Sequence, residues 1–323
     1  MEARPDTKVP AAEGWDHYWQ GASGAAFSSQ GLSHPAIAAF WEAVFAAVRE
    51  NCPAPRVLDL AAGSGAIVDC AYRALGPETP WIVCLDVSPR AIRTLMNRWP
   101  AVHGLVADAR AIPVAAGQFD IVTSQFGVEY AGPAAFREML LPVAPDGQIA
   151  LLLHHRSGGI YRECATGLDA VRRIRAAGFL PQAIRMFKAG FTARRGGNRG
   201  PYEIAARRIL PAFQELEAIM SEHGAHVAGQ VVMRLYRDVD RMHRRIGHYD
   251  PSEVLGWLGR MDEELEAYVE RMTSMCEAAV DQTSFQRLCQ QLRDAGYAIQ
   301  RAEPLQDPKQ DLPLAWSLLA ARN

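Results

Sequence analysis

Several polar residues stand at the ends of short apolar runs, where side chains can do chemistry while the run holds them in place. Asp59 nearly closes Arg56-Val-Leu-Asp-Leu60, Asp86 closes Trp81-Ile-Val-Cys-Leu-Asp86, and Asp108 follows Val102 to Ala107. A carboxylate has about four acceptor sites, so acids in such positions can take hydrogen bonds from a pair of hydroxyls or from an amino group. Between the first two lies Ala61-Ala-Gly-Ser-Gly65, and Gly63 and Gly65 allow a tight bend that brings backbone N–H groups against a ligand. Glu129 and Tyr130, after Phe119 to Ser124, and His154 and His155, after Gln148 to Leu153, are the groups able to move a proton. Adjacent strand residues point to opposite faces, so at most one of the two histidines faces a reacting group; the alternative is that both only hydrogen-bond at the strand end.

The elements that must position these residues alternate in short units, as in a doubly wound parallel sheet. Strand one is Arg56 to Leu60 and its helix runs to about Leu75, closed by Gly76-Pro77. Strand two is Trp81 to Asp86, after which Ser88-Pro89 caps a helix ending at Trp99-Pro100. Val102 to Ala107 and Phe119 to Ser124 are strands three and four, Pro133 to Leu141 is a helix, and Gln148 to Leu153 is strand five. In open sheets the site lies beyond the carboxyl ends of the strands, where all these residues fall.

Upstream, residues 1–12 carry Pro5 and Pro10 without a hydrophobic period and read as a disordered tail. Trp15-Asp-His-Tyr-Trp19 is either core packing or a lid, and Pro35 to Arg49 is a docking helix with Ile37, Phe40, Trp41, Val44, Phe45 and Val48 on one face. Downstream the rhythm stops. Residues 156–282 hold no strand but show helical periods at Leu168 to Ala177, Glu203 to Glu222, Val227 to Ile246 and Pro251 to Ala279, with a loop at Gly196 to Pro201. That is too long for a connection and reads as a helical cap. Residues 283–323 return to the sheet with a helix from Ser284 to Ala295 and strands at Tyr297 to Ala302 and Ala315 to Ala320. The expectation is an α/β fold: a doubly wound, mostly parallel seven-stranded sheet built from 13–155 and 283–323, with an all-helical insertion after strand five.

Composition narrows the partners. A net charge of −2, with 49% hydrophobic and 22% charged residues, speaks against a globally basic nucleic-acid binder. Arginines outnumber acids between Arg156 and Pro211, which a solvated helix face explains better than an anionic substrate does. Six scattered cysteines with no C-x-x-C pair suggest buried thiols and no metal site. No run approaches the roughly 18 apolar residues of a membrane span, and the first residues lack the apolar core of a signal peptide, so a cytoplasmic protein is expected.

The stretch Val57-Leu-Asp-Leu-Ala-Ala-Gly-Ser-Gly65 resembles the first motif of the class I, Rossmann-like S-adenosylmethionine-dependent methyltransferases. Ala61 stands where that family often has its first glycine. The resemblance covers Arg56 to His155, resumes near Ser284, and implies S-adenosyl-L-methionine as the methyl donor. It implies Ala61, Gly63 and Gly65 in the turn, Asp86 with Val87 at the ribose, Asp108 and the Ala109 N–H at the adenine, and Asp59 toward the methionine part. Gln125 and Phe126 fall beside the sulfonium, Tyr18 joins the cofactor set as a wall residue, and Glu129, Tyr130, His154 and His155 are the candidates on the acceptor side. Taken singly, Asp86 or Asp108 is equally well a cap or turn former; their order after the glycine turn carries the reading. A nicotinamide dinucleotide site is the rival, weakened because Val68 replaces the third glycine and Asp59 would repel a pyrophosphate. The expected acceptor is a small organic molecule selected by the cap. RNA or protein methylation and a non-catalytic cofactor-binding scaffold remain as alternatives, and the long cap helices offer a surface for pairing two copies.

Overall fold

The computed structural model describes residue 15 and residues 34–76, 80–307, 309 and 311–322. The expected tail, Tyr18, Trp19 and the stretch from Gly21 to Gly31 lie outside the described residues. The elements of the sheet region, in order, are α1 (Pro35–Asn51), β1 (Arg56–Leu60), α2 (Ala66–Leu75), β2 (Trp81–Asp86), α3 (Pro89–Arg98), β3 (His103–Val106), β4 (Phe119–Gln125), α4 (Pro133–Glu138) and β5 (Val143–His154). The helices α5 (Gly159–Ala176), α6 (Phe179–Arg194), α7 (Gly200–Arg208), α8 (Leu210–His223), α9 (Val231–Arg244) and α10 (Pro251–Ala278) follow, and α11 (Gln282–Asp294), β6 (Tyr297–Gln306) and β7 (Pro313–Arg322) end the chain.

The strands form one seven-stranded sheet in the order β3-β2-β1-β4-β5-β7-β6. Neighbours from β3 to β5 are parallel, while β7 runs antiparallel to β5 and β6 antiparallel to β7. Chain order reverses between β1 and β4, which opens a crevice at their carboxyl ends. Side-chain alternation builds a core on each face. Val57, Ile82, Cys84 and Ile121 pack with α1, α2 and α3, whereas Leu58, Leu60, Val83, Leu85 and Val122 join a second cluster with Phe285, Leu288 and Leu292 of α11. The α1 stripe read from the sequence is the buried one, and α3 is capped by Ser88 Oγ accepting from the Ala91 N–H at 3.1 Å.

Two compact units divide the chain: Met1–Tyr161 with Ser274–Asn323, and Arg162–Thr273. The second unit has its own core, centred on Phe179, Phe187, Leu216, Val232, Leu235 and Leu258. Within it Arg173 of α5 reaches Glu215 and Glu222 of α8 at 2.7 and 2.8 Å, and Tyr202 of α7 bonds His243 of α9 at 2.7 Å.

The structure corrects several boundaries. The helix expected over Glu203 to Glu222 is two helices that meet at Ile209, because Pro211 has no N–H to continue α7 and instead sits in the first turn of α8. The one expected from Val227 starts only at Val231, since Ala228, Gly229 and Gln230 are left-handed. The amphipathic stretch Phe179–Arg194, not singled out above, is helix α6. Strand β5 begins at Val143, five residues before the expected Gln148, and absorbs a register shift opposite Phe119 and Ile121 near left-handed Asp146.

Candidate functional site

The crevice at the β1/β4 reversal is a cleft that opens to solvent. Its floor is the β1–α2 turn. Ala61, Gly63 and Gly65 all have positive φ (53°, 53° and 84°), so three left-handed residues fold the backbone back within five positions. Gly63 faces the cleft. Gly65 does not: a Cβ there would sit 2.3 Å from Trp99 Cζ3, so this glycine serves the packing of α2 on Trp99.

Asp86 ties the turn to the end of β2. Its Oδ2 accepts the Gly63 N–H at 2.9 Å and its Oδ1 accepts the Ser88 N–H at 2.9 Å. The carboxylate keeps acceptor capacity for a ligand, and the residue lines the cleft while only 7% exposed. Burial pushes its pKa up, with the backbone donors from Ser88, Gly63 and Val87 pulling the other way. Beside it Leu85, Val87, Ala107 and Ala109 form an apolar wall on which a flat ring can lie. Asp108 also lines the cleft, but its carboxylate is gripped by Arg110, with Nη2 at 2.6 Å and Nε at 3.0 Å, which holds its pKa below the usual carboxylate range.

Asp59 is 1% exposed and lies outside the cleft lining. Its Oδ1 accepts from Thr123 Oγ1 at 3.1 Å, and burial raises its pKa from 3.8 to about 8 despite that bond, with Asp86 adding to the rise. Burial thus favours its protonated form, and the structure does not bring it to the ligand space.

The opposite wall comes from the end of β4. Gln125 lines the cleft with its Oε1 fixed by Trp41 Nε1 of α1 at 2.5 Å. Phe126 is left-handed (φ 54°), its N–H donating to Leu152 O at 2.8 Å. Ser124 Oγ donates to Leu60 O at 2.8 Å and accepts the Val128 N–H at 3.0 Å, bracing this loop to β1. Tyr130 completes the wall, and Trp15 stands edge-on to it with ring centroids 5.1 Å apart, so one of the three N-terminal aromatics does face the cleft.

His154 and His155 point to opposite faces. His154 lies against Phe126 and Tyr130 and bonds Glu129 behind the wall. His155 stacks on Trp316 at 4.1 Å with its Nδ1 accepting the Ser157 N–H, and is not brought to the cleft. The structure thus gathers Ala61, Gly63, Asp86, Val87, Asp108, Ala109, Gln125, Phe126 and Tyr130 around one space and keeps Asp59, Gly65, Glu129, His154 and His155 out of its lining. Sequence reasoning missed Thr123, Ser124 and Trp41, whose contacts join residues 64, 64 and 84 positions apart and leave no local signal.

Residues 57–147 match the model of the methyltransferase domain family. The chain is 32% identical over 117 residues to a demethylmenaquinone methyltransferase of Renibacterium salmoninarum, covering 35% of this chain and 48% of the relative. It is 34% identical over 101 residues to a demethylmenaquinone methyltransferase of Beutenbergia cavernae, covering 31% and 40%. With a ubiquinone/menaquinone biosynthesis C-methyltransferase of Burkholderia orbicola it shares 30% over 118 residues, covering 35% and 48%. The chain spans less than half the length of these curated relatives. Residues 57–147, from β1 into β5, are thus the part of the chain that is similar to methyltransferase domains.

Proposed function

We propose that the protein transfers a methyl group from S-adenosylmethionine to a small organic acceptor. The observation that carries this reading is Asp86: its carboxylate braces the glycine turn and lines the cleft with acceptor capacity left for a ligand. A vicinal diol such as a ribose edge meets that need. The apolar wall of Leu85, Val87, Ala107 and Ala109 suits a purine, with the Ala109 backbone available to its edge. Gly63 permits close approach of an amino-acid tail, and Gln125 and Phe126 stand at the sulfonium end. When bound, the donor supplies a methyl group already activated on a sulfonium, so the residues around it chiefly align an acceptor and exclude water.

Asp108 enters this proposal as a structural partner of Arg110 at the rim, and Asp59 as a support beneath the turn. The relatives' names refer to quinone compounds, which supports a small-molecule acceptor for this chain as well. No helix among the described residues is long and apolar enough to cross a membrane.

Titration calorimetry with S-adenosylhomocysteine tests the reading. Wild type binds, and Asp86→Ala loses at least about tenfold in affinity, the equivalent of one hydrogen bond to a charged group at about 1.5 kcal/mol or more. Tight binding of NAD with no binding of either sulfur compound overturns it.

A further inference from the structure

A donor held in this cleft brings a negative charge on the carboxylate of its amino-acid tail. Among the described residues, no lysine, arginine or histidine lines the cleft, and its two titratable carboxyl groups, Asp86 and Asp108, have nothing to offer an anion. An anion taken out of water without donors is costly, so the tail has to be met by neutral N–H or O–H groups.

Gln125 is built to supply them. Trp41 of α1 is 0% exposed and fixed between Phe40, edge-on at 5.0 Å, and Phe45 at 6.1 Å. Its indole Nε1 only donates, so the end of the Gln125 amide that it meets at 2.5 Å is the oxygen. The two ends of an amide have nearly the same shape, and here the donor-only partner decides between them. Nε2, with two hydrogens, is left at the other end. It meets no hydrogen-bond partner among the described residues and is not one of the sealed polar atoms, so the space it opens on is the cleft that Gln125 lines. Among the described lining residues this side chain alone offers two N–H hydrogens on one atom. Pairing with Leu152 holds its backbone at the end of β4. Satisfying the indole does not by itself call for glutamine, since glutamate presents the same oxygen at the same reach. Glutamine adds the donor on the cleft side.

We infer that Gln125 Nε2 donates to the carboxylate of the methyl donor's amino-acid tail, and that Trp41 is the positioning residue that holds the amide in this sense. This rests on the methyltransferase reading and adds to it how the tail is recognised. A hydrogen bond to a carboxylate is charge-assisted and stronger than one between neutral groups. It acts on the part of the donor that does not react, so it contributes affinity and fixes the direction of the sulfonium. Trp41 acts through Gln125 and does not touch the ligand.

The test truncates ligand and residue together, with titration calorimetry on the full chain. S-adenosylhomocysteine carries the tail, and 5′-methylthioadenosine has the same nucleoside and thioether without it. Gln125→Leu is expected to weaken S-adenosylhomocysteine at least about tenfold and 5′-methylthioadenosine by less than about twofold. Gln125→Glu keeps an oxygen for Trp41 but sets a carboxylate against the tail, and is expected to lose more than Gln125→Leu, again on the tail-bearing ligand alone. Trp41→Phe frees the amide to turn and is expected to give a smaller loss with the same selectivity, whereas a merely structural tryptophan would weaken both ligands alike. Gln125→Glu has nearly the shape of the native side chain and carries the test if either other variant fails to fold. Equal losses on the two ligands, or no loss on either, overturn the inference and leave the methyltransferase reading standing. If wild type binds neither ligand, the underlying reading falls and takes the inference with it.

Discussion

Replacing Asp59 with asparagine changes how stability depends on pH more than it changes the fold. In the native state burial raises this carboxyl from 3.8 to about 8. Between those two values the unfolded chain has released the proton and the folded chain has kept it. The native state therefore binds one more proton, and stability falls as pH rises, by about 1.4 kcal/mol per unit. Below 3.8 the burden is absent, and above about 8 it is constant. From pH 5 to pH 8 Asp59 alone removes about 4 kcal/mol. The group is fully buried, so solvent screening does not reduce this figure appreciably. Asparagine keeps an oxygen for the Thr123 hydroxyl and has no proton to lose, although its second amide hydrogen has to find a partner or cost about 1–3 kcal/mol at every pH.

Urea unfolding at several pH values, followed by tryptophan fluorescence, measures this. Every tryptophan except Trp257 lies outside residues 162–273, so the signal reports the sheet unit. Wild type should be the less stable of the two near pH 8, and the difference between the proteins should change by about 4 kcal/mol from pH 5 to 8. Parallel stability curves would refute the argument, because they would mean that Asp59 is ionised inside the fold.

Other perturbations separate packing from chemistry. Gly65→Ala forces a Cβ to 2.3 Å from Trp99 in a left-handed residue and should cost about 2–4 kcal/mol, read as a lowered Tm that a smaller side chain at Trp99 only partly restores. Gly127→Ala brings a Cβ to 2.5 Å from Ala61 Cβ, whereas Gly127→Ala with Ala61→Gly removes that clash. A double-mutant cycle on unfolding free energies should show coupling of about 1–3 kcal/mol, and simple additivity would count against the contact. Arg173→Ala in the helical unit loses partly exposed ion pairs to Glu215 and Glu222 and should lower stability by no more than about 1 kcal/mol, a difference that high salt in the unfolding buffer should reduce.

What could be read from the chain was local. The apolar runs and the Ser88-Pro89 cap gave the strands and α3 because period and cap chemistry need only neighbouring residues. Strand parity already separated His154 from His155, but not which faced the cleft, since that depends on the Phe126 loop folding back over β5. The same limit explains Asp59. An acid beside a glycine turn reads as a ligand group, and only the pairing of β1 with β2 and β4 on either side shows that it is sealed beneath the turn. Asp108 does line the cleft, and the sequence also holds the signal for its other partner: Arg110, two residues on, folds back onto the carboxylate. The break at Ile209 was announced by Pro211 in the same way.

Ala61 is the departure whose cause only the structure supplies. A left-handed alanine costs about 1–2 kcal/mol that glycine avoids, so the usual glycine of the motif would seem the better residue. Its Cβ, however, faces Gly127, where a second Cβ would lie 2.5 Å away. One of the two crossing loops has to be bare at this point, and here it is the loop from β4. Gly127 itself has negative φ, so its glycine is required by the crossing and not by its own backbone. The neighbour Phe126 is left-handed yet keeps a large ring, which glycine could not provide and which separates His154 from the cleft. The strain at Ala61 and Phe126 is held by the sheet, through the Ala62 N–H on Leu85 O and the Phe126 N–H on Leu152 O. The turn on the donor side and the loop on the acceptor side are therefore set by a single contact, and a substitution at Ala61 or Gly127 should move both walls of the cleft together.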